Sequence, residues 1–115
     1  MIILIIGSAP DALEAQSFNR DHFHGLVAIN NAWNVRKDWD YCIFPDDFPE
    51  NRRPNEDRDQ SLIGSEQYVP IQNKFGGFVY SGGTMAFTAG YWALGHFNPK
   101  AIAYIGCDMI YDGED

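Results

Sequence analysis

Residues 78–108 read FVYSGGTMAFTAGYWALGHFNPKAIAYIGCD, and the fold turns on how this stretch is read. Ser81-Gly82-Gly83-Thr84 is a glycine-rich turn. A helix of small apolar residues follows it, Gly95 and Asn98-Pro99 stop the helix, and a short strand then runs up to Gly106-Cys107-Asp108. Turn, helix and strand in this order make one arm of a parallel α/β sheet. Ligands of such sheets collect at the carboxyl ends of strands and the amino ends of helices, where unpaired backbone N–H groups and the helix dipole favour anions. Within the helix, Ala86, Ala89, Gly90 and Ala93 recur at helical spacing. Phe87, Tyr91 and Leu94 lie on one flank, and Met85 and Trp92 on another. The helix is therefore apolar nearly all round, which predicts deep burial or a homo-oligomer interface.

The chain upstream supplies further strands. Ile2–Ile6 is an unbroken aliphatic run, suited to a parallel strand buried on both faces. Gly7-Ser8-Ala9-Pro10 turns it into a helix, with Pro10 in the first turn and acids where the dipole favours them. Leu26–Ile29 is the second strand, Ala32–Arg36 forms one or two helical turns, and Tyr41–Phe44 is a third strand closed by Pro45-Asp46-Asp47. From residue 46 to 66 the sequence is polar, carries two prolines and has no period, which predicts a loop or lid. Tyr68–Ile71 reads as a brief strand.

The chain has 115 residues, enough for one domain, and a formal charge of −8 from 8 basic and 16 acidic residues. A nucleic-acid backbone or an anionic membrane surface would be repelled. The opening MIILII is too short for a membrane span and has no basic flank, so the expected location is cytoplasmic. Cys42 and Cys107 show no metal-ligand spacing and read as buried reduced thiols.

Four groups of residues are able to carry chemistry. In Gly7-Ser8-Ala9-Pro10, backbone N–H groups of a strand-to-helix turn can approach a phosphate, although a purely structural turn is the commoner reason for such a loop. In Ser81-Gly82-Gly83-Thr84, the glycines admit a ligand close to the backbone, and Ser81 or Thr84 either caps the helix or bonds a phosphate or ribose. Asn30-Asn31 offers amides for a base or ribose, and asparagine is equally an ordinary turn former. Asp46, Asp47 and Asp108 stand at strand ends, where carboxylates can bind Mg²⁺ or act as a base, though Asp-Asp in a loop is usually just solvated. His22 and His24 fall at the amino edge of the sheet, away from the cleft, and His96 suits a helix end.

IIGSAPDAL, VAINNAW and YSGGTMAFTAGYWAL…AIAYIGCDMIY, in this order, resemble the bacterial CMP-sialic-acid-dependent sialyltransferases and related Rossmann-like proteins, including the archaeal hydroxymethylpterin diphosphokinases. The resemblance implies a Rossmann-like three-layer α/β fold: a mostly parallel sheet of four or five strands with helices on both faces. It also implies a nucleotide or nucleotide-sugar as the small-molecule partner, bound by Gly7, Pro10, Asn30, Ser81, Gly82, Gly106 and Asp108. Ser8, Ala9, Asn31, Gly83, Thr84 and Tyr111 complete the candidate binding set. Two departures stand out: Ser8-Ala9 replaces the family's Asn-Gly, and Tyr111 lies one position later than the family's Tyr. The family's catalytic His follows the Gly-x-Asp strand end, whereas this sequence has no His beyond His96. The implied alternatives are a glycosyltransferase-like domain lacking its C-terminal catalytic part, a non-catalytic nucleotide-binding or interaction module, and a diphosphokinase that would need Mg²⁺. No other cofactor or metal is expected.

Overall fold

Ile2–Ile6 (β1) is aliphatic at every position, and the fold gives it two buried faces. The computed structural model describes residues 1–55, 59–74 and 85–107. Among them are four further strands, Gly25–Ile29 (β2), Tyr41–Ile43 (β3), Ser61–Ile63 (β4) and Ala101–Ile105 (β5), and two α-helices, Ser65–Lys74 (α1) and Met85–Phe97 (α2). All strand pairs are parallel, in the order β4-β3-β2-β1-β5. The architecture is thus a three-layer, Rossmann-like α/β fold with five strands.

Alternation along β1 divides the core. Ile3 and Ile5 face α1 and α2, together with Val27, Ile43, Ala89 and Trp92. Leu4 and Ile6 face the opposite layer, with Leu26, Ala28, Cys42 and Trp39. That second layer is built from 3-10 helices rather than α-helices. Pro10–Ser17 is one, and its two buried residues are Ala12 and Ala15. Three residues per 3-10 turn put positions i and i+3 on one line, so this pair of alanines faces the sheet along a single seam. Asn30–Asn34 is another 3-10 helix, beginning two residues before the helical turns expected over Ala32–Arg36.

Side chains at the amino edge pin the crossovers. Asp40 Oδ2 accepts from Arg20 Nη2 at 2.6 Å and from the Leu26 amide at 2.8 Å. Arg36 donates to the carbonyls of Ala15 and Phe18, which close the first 3-10 helix, and pairs with both oxygens of Asp38. The Arg36 hydrogen bond holds the Asp38 carboxyl below its usual range.

Two expectations need correction. Tyr68–Ile71 is not a strand but part of α1, where Tyr68 and Gln72 are buried and Val69 and Pro70 are exposed. The β-branched and aromatic residues suggest a strand locally, and burial at helical spacing overrides that preference. The polar 46–66 segment is not structureless either. It holds a 3-10 turn at Glu50–Arg52, the strand β4 and the start of α1. Phe48 is buried against Phe44, and Arg53 lies over the Phe44 ring. With only Leu62 and Ile63 apolar, β4 is too short to display a period, which is why the sequence hides it.

The helix α2 behaves as half of its prediction. Ala86, Ala89, Trp92 and Ala93 are buried, while Phe87 and Leu94 on the outer flank stay 42% and 37% exposed. No helix among the described residues is long and apolar enough to cross a membrane.

Candidate functional site

The strand order reverses direction once. From β1 the chain steps outward through β2, β3 and β4, then returns through α1 and α2 to place β5 on the free side of β1. The first crossover covers one face and the return covers the other, so the strand order reverses between β1 and β5. Open parallel sheets bind ligands at the carboxyl ends of strands beside such a reversal.

Two glycines interlock there. A side chain on Gly7 would run into the Gly106 carbonyl, and one on Gly106 would run into Ala12. Gly106 also has φ +72°, in the left-handed region that glycine enters without strain. This close approach lets the Gly7 amide donate to the Ile105 carbonyl at 2.8 Å and the Ala9 amide to the Gly106 carbonyl at 2.9 Å. Two of the three N–H groups expected on a phosphate are therefore committed to β5. Ser8 is exposed at the rim, and Pro10 begins the 3-10 helix.

One strand over, Asn30 follows β2 with φ 53°, a left-handed conformation that asparagine tolerates better than most residues. Its Oδ1 is buried with no hydrogen-bond partner among the described residues. Its backbone carbonyl accepts from the Cys42 thiol at 3.5 Å. Asn31, by contrast, is exposed, and its carbonyl accepts from the Asn34 amide, so its described contacts are those of a turn residue. After β3, Asp46 Oδ1 accepts from the Ser65 hydroxyl at 2.7 Å, joining the ends of β3 and β4. Asp47 is exposed.

Cys107 sits just beyond Gly106, and burial, reinforced by the Asp11 carboxylate, pushes its thiol up to about 11. Burial alone pushes Cys42 up to about 12. Neither is in a disulfide, and both thiols are protonated at neutral pH and unsuited to nucleophilic attack. His24 lies at the opposite edge, its amide donating to the Ile2 carbonyl where β1 begins. Among the described residues, no group of three His, Cys, Asp or Glu is placed to hold a metal ion.

The fold thus brings Gly7–Pro10 against Gly106–Cys107 and sets Asn30 on the same edge. Ser81, Gly82, Gly83, Thr84, Asp108 and Tyr111 lie outside the described residues. Sequence reasoning missed the Asp46–Ser65 link and the glycine interlock; the paired Gly at two strand ends was the signal for the latter. Comparison with protein-family models, with curated proteins and with solved structures found no match to the chain, so the site is read from its geometry.

Proposed function

We propose that this chain is a nucleotide-binding α/β domain, with its ligand in the crevice at the carboxyl ends of β5, β1 and β2. The observation that carries this reading is the strand-order reversal between β1 and β5, lined by Gly7 and Gly106. The buried Asn30 Oδ1, unpartnered among the described residues, supplies the recognition element, accepting from a base N–H or a ribose hydroxyl. Because the Gly7 and Ala9 amides are engaged, the phosphate is assigned to the Ser8 hydroxyl, and the sequence resemblance implies Ser81, Gly82 and Asp108 as further ligand contacts.

The ligand class is a CMP-type nucleotide or nucleotide-sugar, as the sequence resemblance implies, in a cytoplasmic protein. The outer flank of α2, with Phe87 and Leu94 exposed, is the proposed contact in a homo-oligomer. A Mg²⁺-dependent diphosphokinase is the second reading, for which the sequence offers Asp46, Asp47 and Asp108 after strands.

Calorimetric titration with CMP, CDP and ATP, each with and without Mg²⁺, separates the readings. CMP binding without Mg²⁺ supports the first, and ATP binding only with Mg²⁺ supports the second. No heat from any of the three at millimolar concentration sinks both.

A further inference from the structure

A second concavity lies in the 3-10 layer, away from the β1–β5 crevice. It is a cleft of about 300 Å³ between the Asn30–Asn34 helix and the chain leading into β4. That volume is at the lower end of the range for small-molecule sites. Trp33, Trp39 and Pro54 give it apolar walls. The Trp33 indole is fixed by donating to the Arg52 carbonyl at 2.9 Å, and Trp39 is buried in the core. Gln60 ties the two sides together, its amide donating to the carbonyls of Lys37 and Trp39 at 2.9 Å each. The walls are therefore held in place before any ligand arrives.

The polar lining has an unusual sign for this protein. Among the described residues that line the cleft, Lys37 is the one cation and none is an acid, in a chain of formal charge −8. The neighbouring cations Arg20 and Arg36 are paired with Asp38 and Asp40, whereas Lys37 has no ion pair among the described residues. Asn55 adds an amide with no hydrogen bond among the described residues, and Asn34 offers its Oδ1, since its Nδ2 donates to the Asn31 carbonyl. One ammonium and one amide in a cleft lined by two indoles match a single carboxylate carried on a flat ring. They fit a phosphate less well, because a dianion calls for several charged or bidentate donors.

We propose that this cleft binds a small aromatic or heteroaromatic monocarboxylate, its ring between Trp33 and Trp39 and its acid group on Lys37 and Asn55. The proposal is independent of nucleotide binding at the β1–β5 crevice.

The indole N–H signals of the whole chain report on it directly, because Trp33 and Trp39 line the cleft while Trp92 lies in the opposite layer and serves as an internal reference. The probes are benzoate, uncharged benzyl alcohol of similar shape, and inorganic phosphate. Benzoate is expected to shift the Trp33 and Trp39 signals in a saturable way at roughly 10 mM or below, leaving Trp92 unmoved. Lys37→Gln, at an exposed position that folding does not need, should raise the half-saturating benzoate concentration about fivefold. Three results overturn the assignment: no shift from benzoate, an equal response to benzyl alcohol or in Lys37→Gln, or phosphate moving the same signals at lower concentration.

Discussion

Replacing Asn30 by glycine should make the protein more stable and a poorer binder at once. The wild-type side chain buries an Oδ1 with no partner among the described residues and holds a left-handed backbone at φ 53°. A buried acceptor left unsatisfied costs about 1–3 kcal/mol. The left-handed conformation adds up to about 1–2 kcal/mol for an L-residue, and less for asparagine, all of which glycine relieves. Against these gains, glycine's looser unfolded chain costs about 0.5–1 kcal/mol. The balance is a stabilisation of about 1–2 kcal/mol, or a Tm rise of roughly 4–10 °C for a domain of this size. Urea unfolding gives the first quantity, calorimetry the second, and a parallel CMP titration the third. If the urea midpoint falls instead, Asn30 has a partner and the geometry has been misread. If stability rises while CMP affinity is unchanged, the orphaned oxygen is not a recognition element and the nucleotide reading loses its anchor.

Gly106→Ala should destabilise by about 2–4 kcal/mol, combining the left-handed φ of +72° with a clash against Ala12, and a lowered urea midpoint at constant slope is the check. Asp38 gives a pH signature: its carboxyl is held below the ordinary value by Arg36, so its contribution is present above about pH 4 and is lost as pH falls below that. The stability gap between wild type and Asp38→Asn should therefore narrow from pH 6 towards pH 2. With the Asp38 side chain 44% exposed, the gap itself should stay under about 1 kcal/mol.

The elements legible in the sequence are those whose burial is uniform. IILII announces a two-sided strand because every position is aliphatic, and α2 announces itself by alanines at helical spacing between a glycine turn and an Asn-Pro stop. Elements that depend on a neighbour are hidden. Three residues of β4 become a strand only because β3 lies beside them, and Tyr68–Ile71 becomes helical because Tyr68 packs into the same core as Met85 and Trp92. The same distinction runs through the site. The position of Asn30 after a strand is readable, but the isolation of its Oδ1 is a property of the folded surroundings. Whether Gly7 and Ala9 amides are free for a phosphate depends on carbonyls about 100 positions away, which no local pattern encodes.

That distance has a kinetic meaning. Pairing between β1 and β5 joins Ile2 to Ala101 and Ile6 to Ile105, while β1 and β2 are separated by little more than 20 residues. Closing so long a segment has a high entropic cost, so β5 docks late, after the β1-to-β4 unit has formed. In native-state hydrogen exchange, β5 should then open as a cooperative unit at lower free energy than β2. One wall of the crevice, with Gly106 in it, belongs to the last segment to arrive and the first to leave. A ligand held there would act as a latch on folding, slowing the exchange of β5 amides before it changed any other part of the sheet.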